Sequence, residues 1–177
     1  MHTLSDPALH DPGPGDPGPG ADVGSFSAWL QPHWPGMAWL ARRSADESDW
    51  EDVLQEALSA AWRKRGQFDP ARGTARNWLL AIVADQCSKN RRRLRPVLVA
   101  DPAERPAAGA DRTEQVDIDA ALAKLTDRQR LAVNLRYFLE LTVTDVAQVL
   151  GCSEGTAKST LSDARRRLRE LLGEDYR

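Results

Sequence analysis

Thr142 to Leu172 reads TVTDVAQVLGCSEGTAKSTLSDARRRLRELL, and this stretch restricts the fold more than any other. Thr142 can cap a short helix, Val143 to Leu150, that buries Val146, Val149 and Leu150. Gly151 follows, where a residue free to adopt positive φ ends a helix. Ser153 then caps a second, longer helix. Its apolar positions Ala157, Leu161, Ala164, Leu168 and Leu171 step by 4, 3, 4 and 3, which makes one buried stripe. Such a segment is helical on both sides of its glycine and cannot alternate as a strand.

The rest of the chain follows the same period. Trp50, Val53, Leu54, Ala57, Leu58, Ala61 and Trp62 obey the i, i+3, i+4, i+7 rule, and Ser48 with Glu51 predicts a capping box at the start of that helix. Trp78, Leu79, Ile82 and Val83 open another apolar face after the turn-like FDPARGT. Before them, FSAWLQPHWPGMAWLARR is a less regular helix, because Pro32 and Pro35 must interrupt or restart it. Ile118, Ala121, Leu122 and Leu125 predict a short helix. Thr126 and Gln129 predict a capping box for the next, whose apolar set is Leu131, Leu135, Phe138 and Leu139. No strand-like alternation occurs, so the fold class is all-α. All six tryptophans precede Leu79, and most are expected in the core.

Two breaks divide the chain. Residues 1–24 contain a tandem DPGPG unit, four aspartates and no Lys or Arg, and read as a disordered tail. Residues 96–115, PVLVADPAERPAAGADRTEQ, read as a flexible linker. Two small helical domains remain, at 25–95 and 116–173. No run is long and apolar enough to span a bilayer, and the start lacks the basic and apolar regions of a signal peptide. Cys87 and Cys152 stand alone, which predicts neither a disulfide nor a local zinc site but two small buried residues in the cytoplasm. No catalytic constellation, metal motif or phosphate-cradling loop is apparent, so the chain reads as a non-enzyme without a cofactor.

The net charge of −2 conceals two basic clusters, SKNRRRLR at 88–95 and RRR at 165–167. Local clusters on a near-neutral chain point to contact with a polyanion. The segment after Thr142 suggests which one. Short helix, glycine turn and longer helix form helix-turn-helix grammar, in which the second helix enters the DNA major groove N-terminus first. A groove-reading end needs small residues, hydroxyls and a few cations. Ser153, Glu154, Thr156, Ala157, Lys158, Ser159 and Ser162 are the expected base-proximal residues, with Arg165 and Arg166 reaching phosphates further along. The helix N-terminus adds amides and a partial positive charge for a phosphate.

The run from Leu125 to Leu172 closely resembles region 4 of bacterial RNA polymerase sigma factors of the extracytoplasmic-function (ECF) group. The resemblance is carried by RQR, LRYF and the ending A-x-x-LG-x-S-x-GT-x-KS-x-L-x-x-AR-x-x-L. DVLQEALSAAWRKRGQFDPARGTARNWLLAIVADQCSKNRRR is similar to region 2 of the same family. The resemblance implies a specificity subunit that binds core RNA polymerase and directs it to promoter DNA. Region 4 would read the upstream (−35) element, and region 2 the downstream (−10) element as it melts. It places the polymerase contact at Asp52, Gln55 and Glu56. The −10 contacts fall at Phe68, Arg72, Thr74, Asn77, Lys89, Asn90, Arg91 and Arg92, with Arg93 beside them. Family members often have an anti-sigma partner that occludes both units. Asp85, Thr160 and Asp163 depart from the family pattern, each replacing a residue better suited to phosphate or base contact. Two other readings compete. A stand-alone helix-turn-helix regulator would bind duplex DNA tightly without polymerase. A helical adaptor would have no DNA role, which the SKNRRR end and the polar front of the last helix count against.

Overall fold

The computed structural model describes residues 18–45, 48–94 and 114–172. The described residues form eight α-helices and no strand. Helix α1 (Val23–Leu30) begins earlier than the sequence suggests. Asp22 caps it by accepting from the Ser25 backbone N–H at 3.0 Å, so Asp22 to Gly24 belong to the first unit and not to the tail. Pro32 sits in a 3₁₀ turn, Gln31–His33, and Pro35 in the first turn of α2 (Trp34–Ser44), where its missing N–H costs nothing. Helix α3 (Trp50–Lys64) leads through a second 3₁₀ turn, Arg65–Gln67, into the loop before α4 (Ala75–Leu94).

The second unit starts with α5 (Glu114–Ala123), which takes in two residues assigned above to the linker. Helix α6 (Asp127–Val133) has the expected Thr126–Gln129 capping box. It does not run on as an α-helix. Asn134–Phe138 form a π turn, in which the Leu139 N–H donates to the Asn134 carbonyl at 3.0 Å. Thr142 caps α7 (Val143–Leu150) in a reciprocal box with Asp145, and Gly151, at φ 60°, turns the chain into α8 (Glu154–Leu172).

One expectation fails. The Ser48–Glu51 box does not form: Asp49 occupies the N-cap, and the Ser48 hydroxyl donates to its carboxylate at 2.7 Å. Five of the six tryptophans pack in or against the core as expected, although only one of them is fully buried. Trp29 is buried, Trp34 is exposed, and Trp39, Trp50, Trp62 and Trp78 are half-buried. The amphipathic indole explains this, since it can pack one face while its edge meets water. Trp50 and Trp62 also lie under guanidinium groups, those of Arg42 and Arg65, at 4.3 and 3.8 Å from the ring centroids.

The two units share a core. Met37, Leu40, Leu79 and Val83 of the first are continuous with Leu135, Leu139, Val146 and Leu161 of the second. Helix α4 packs on α7, and α2 packs on α6 and the π turn. At about 2 kcal/mol for each fully buried aliphatic side chain, this continuity is enough to hold the units together. A smaller core, Leu122, Leu125, Val133 and Ala164, ties α5 and α6 to α8.

Candidate nucleic-acid interface

Helix α8 starts as the sequence implies. The Ser153 hydroxyl accepts from the Thr156 N–H at 3.2 Å, and the two hydroxyls lie 2.9 Å apart. Glu154 accepts from the Thr144 hydroxyl of α7 at 2.7 Å, which fixes the turn geometry, and faces Lys158 at 3.7 Å. Ser159 and Thr160 both donate to the Thr156 carbonyl, at 3.0 and 2.8 Å. Thr160 is thereby satisfied within its own helix. Ser153, Glu154, Thr156, Lys158, Ser159, Ser162, Arg165 and Arg166 are all exposed. Ala157 is not: at 0% exposure it belongs to the apolar stripe with Leu161 and Ala164, and it cannot touch DNA.

The arginines beyond this face are lightly held. Arg166 pairs with Asp163 at 2.6 Å and Arg167 with Glu170 at 3.1 Å, all exposed. Pairs of this kind contribute about 0–1 kcal/mol, so a phosphate can displace them. Asp163 therefore tempers Arg166 in the free chain.

The first unit is arranged differently. Phe68 stacks edge-on against Trp29 and Trp78, with centroids 5.3 and 5.7 Å away, and serves packing here. Thr74 accepts from the Asn77 N–H at 3.1 Å at the start of α4. Asn77 is only 4% exposed, and the cover is the second unit. Its side-chain amide donates to Asp145 Oδ1 at 2.6 Å and to Gln148 Oε1 at 2.9 Å. The Gln148 amide donates in turn to the Arg72 carbonyl at 3.3 Å. Gln148 crosses so close that a Cβ on Gly73 would lie 3.0 Å from its Oε1. Arg76 donates to the Leu139 carbonyl at 2.7 Å. Contrary to expectation, Asn77 thus presents no edge to a base in this arrangement.

The basic end of α4 is split in the same way. Lys89 pairs with Asp85 at 2.7 Å, Arg92 donates to the Ser88 carbonyl at 3.2 Å, and Lys89, Arg92 and Arg93 are exposed. Asp85, which would repel a phosphate if free, is thus neutralised one turn away. Arg91 turns inward, pairing with Asp127 of α6 and donating to the Ser44 carbonyl, so it is not available to a phosphate. Asn90 donates to Asp49 at 3.1 Å. Hydrogen bonds from Ser48 and then from Asn90 hold the Asp49 carboxyl below the usual range.

On α3, Asp52, Gln55 and Glu56 are exposed on the side opposite Val53, Leu54 and Ala57. Cys87 is buried and Cys152 half-buried, and both are free. Burial pushes the Cys87 thiol up to about 11, against the smaller opposing pull of Arg91. No group of three His, Cys, Asp or Glu able to hold a metal occurs among the described residues, and none of their helices is long and apolar enough to cross a membrane.

The contacts between the units were not legible in the sequence. Arg43 pairs with Asp119 at 2.6 Å and lies over the Phe138 ring, which packs against Trp39 at 5.3 Å. Beside them Ser44 and Asn134 line a cavity of about 130 Å³ together with Arg130. The buried polar side-chain atoms of Ser44 and Asn134 have no partner among the described residues.

Known families match both units. Residues 37–96 match the Sigma-70 region 2 model, and residues 115–168 match Sigma-70, region 4. The chain is 36% identical over 141 residues to the ECF RNA polymerase sigma factor SigM of Mycobacterium tuberculosis, covering 77% of this chain and 70% of that protein. It is 33% identical over 136 residues to SigK of Mycobacterium bovis, covering 69% and 71%. Among solved structures it is similar to the sigma factor RpoE of Bartonella quintana, determined with the anti-sigma factor NepR. There the TM-score is 0.67 and the identity 30%, over 86% of this chain and 99% of that one. It is also similar to CnrH, determined with the cytosolic domain of CnrY, at a TM-score of 0.64 and 25% identity over 88% and 92%. With both sigma modules in order and relatives matched over most of their length, the chain belongs to the ECF sigma factors of bacterial RNA polymerase.

Proposed function

We propose that this protein binds core RNA polymerase in the cytoplasm and directs it to a specific set of promoters, without catalytic chemistry of its own. Helix α8 reads the upstream element through Ser153, Glu154, Thr156, Lys158, Ser159 and Ser162, with Arg165 and Arg166 on phosphates. The first unit contributes Arg72, Thr74, Asn77, Lys89 and Arg92 to the melted downstream element once its surface is free. Asp52, Gln55 and Glu56 supply acceptors for polymerase. An anti-sigma partner, as found with the Bartonella quintana neighbour, is the expected regulator.

The observation that best supports this is the front of α8. Six small or charged polar side chains stand exposed on a capped helix end, directly after a left-handed Gly151. Packing alone does not call for that concentration of hydroxyls and cations.

The test is run-off transcription from a promoter library with core polymerase. Specific transcripts are expected, and their absence alongside tight duplex binding by the protein alone would favour the stand-alone regulator. Lys158→Ala with Arg165→Ala should weaken promoter use about tenfold or more and lower the salt dependence by about one unit of slope per lost phosphate contact. Unchanged promoter use would show that α8 is wrongly assigned.

A further inference from the structure

We propose that Ser44 and Asn134 line a binding site for one small oxyanion that carries its own O–H, hydrogen phosphate or bicarbonate, held where α2 meets α5 and α6. Asn134 ends α6 and opens the π turn. Its main chain is fully used. The N–H donates to the Arg130 and Leu131 carbonyls, and the carbonyl accepts from the Leu139 N–H at 3.0 Å. Its side chain is different. The residue is 1% exposed, yet neither end of the amide has a partner among the described residues, and the hydroxyl of buried Ser44 has none either. Native chains pair nearly all such groups, because an unpaired buried amide forfeits its hydration for nothing. A π turn, with its one extra residue, is also a common mark of a functional site.

The surroundings say what the occupant is. Ser44 and Asn134 share a cavity of about 130 Å³ with Arg43, Asp119 and Arg130. That is well below the roughly 300–1,000 Å³ of a pocket for a drug-sized ligand, so the occupant has only a few heavy atoms. It must accept from Nδ2 and donate to Oδ1 of the same amide. Water does both, but the charge calls for an anion. Arg43 pairs with Asp119, while Arg91 and Arg130 share Asp127, so three guanidinium groups meet two carboxylates. The cations are also the better buried, since the Arg91 and Arg130 side chains are 15% and 14% exposed and that of Asp127 is 53%. Solvent screens the carboxylate more than the guanidinium groups, which leaves the inward side of the cluster cationic. Arginine forks suit oxyanions. An oxyanion with an O–H answers the surplus charge and the Oδ1 acceptor together, whereas sulfate and chloride have no proton to give.

The site draws on α2, α5 and α6 and uses none of the exposed residues at the front of α8. It therefore stands or falls independently of the promoter reading.

The test is equilibrium dialysis of the full chain against labelled inorganic phosphate and, separately, labelled bicarbonate, at constant ionic strength in chloride. Uptake of one ion per chain is expected, and the one that binds more tightly is the ligand. Sulfate should compete about tenfold more weakly or worse, for want of one hydrogen bond to a charged partner. Asn134→Leu removes both ends of the amide at similar volume and should weaken uptake about tenfold or more. Thermal melts in chloride check that it folds. Ser44→Ala, a smaller change, should weaken uptake about threefold and decides the matter if the leucine variant does not fold. Lys158→Ala with Arg165→Ala should leave uptake unchanged, which separates the cavity from phosphate held on the α8 face. The proposal is overturned by a wild type that takes up neither ion, by sulfate that competes as well as phosphate, by uptake that survives the Ser44 and Asn134 variants, or by uptake that disappears with Lys158 and Arg165.

Discussion

The two surfaces assigned to DNA differ in what holds their polar groups. On α8 the hydroxyls and cations bond within their own helix, through Ser153–Thr156, Ser159 and Thr160 to Thr156, and Arg166–Asp163. At the start of α4 they bond across the interface to a segment 68 or more positions away. A surface satisfied locally stays displayed whatever the rest of the chain does. A surface satisfied by a distant segment is available only when that segment leaves. The same kinds of side chain therefore stand exposed in one unit and are covered in the other.

The shared core can be attacked first. Leu79 is fully buried in α4 within the cluster that reaches α7 and α8. Leu79→Ala should cost about 2–5 kcal/mol. In urea, probes in either unit should report one common transition, and two separate transitions would mean that the units only touch. Next comes the covered surface. Asn77→Ala strips partners from a carboxylate and an amide at once and should cost about 2 kcal/mol. Ser159→Ala on the exposed surface should change stability by less than about 0.5 kcal/mol. Equal effects would erase the contrast.

The third prediction concerns pH. The Cys87 thiol is raised to about 11 from an ordinary 9.0. Its folded value lies above the unfolded one, so its contribution is fully present below pH 9 and is lost as pH rises towards 11. Cys87→Ala should flatten that part of the stability profile. At neutral pH a thiol reagent should reach half-buried Cys152 well before Cys87. The smallest effect is expected at Glu140, which alone among the described non-glycine residues has positive φ, at 56°. Glu140→Gly relieves left-handed strain at an entropic cost, for a net gain of up to about 1 kcal/mol in thermal melts.

Much of the fold was legible because helices and caps are local. The Thr126, Thr142 and Ser153 caps, Gly151 and the α8 stripe each depend on residues within one or two turns. The Ser48 box was misread because its neighbour Asp49 captured the Ser48 hydroxyl and a distant partner, Asn90 of α4, fixed Asp49. The π turn was equally hidden. One extra residue in the Asn134–Phe138 turn lets Leu135, Leu139 and Leu141 all face the core, which no single helical period predicts. Ala157 shows the reverse case, since the 4-3 spacing already placed it in the stripe and only proximity to reading residues suggested DNA contact.

The sequence by itself determined that the chain is helical, that it carries two sigma modules, and which end of α8 faces outward. Those properties follow from periodicity, capping and turn chemistry over a few residues. Only the tertiary structure decided that Asn77 and Arg91 are covered while Lys158 and Arg165 are not. Burial of a polar group depends on what packs over it, and here the cover is a pair of helices brought from the other half of the chain by a shared hydrophobic core.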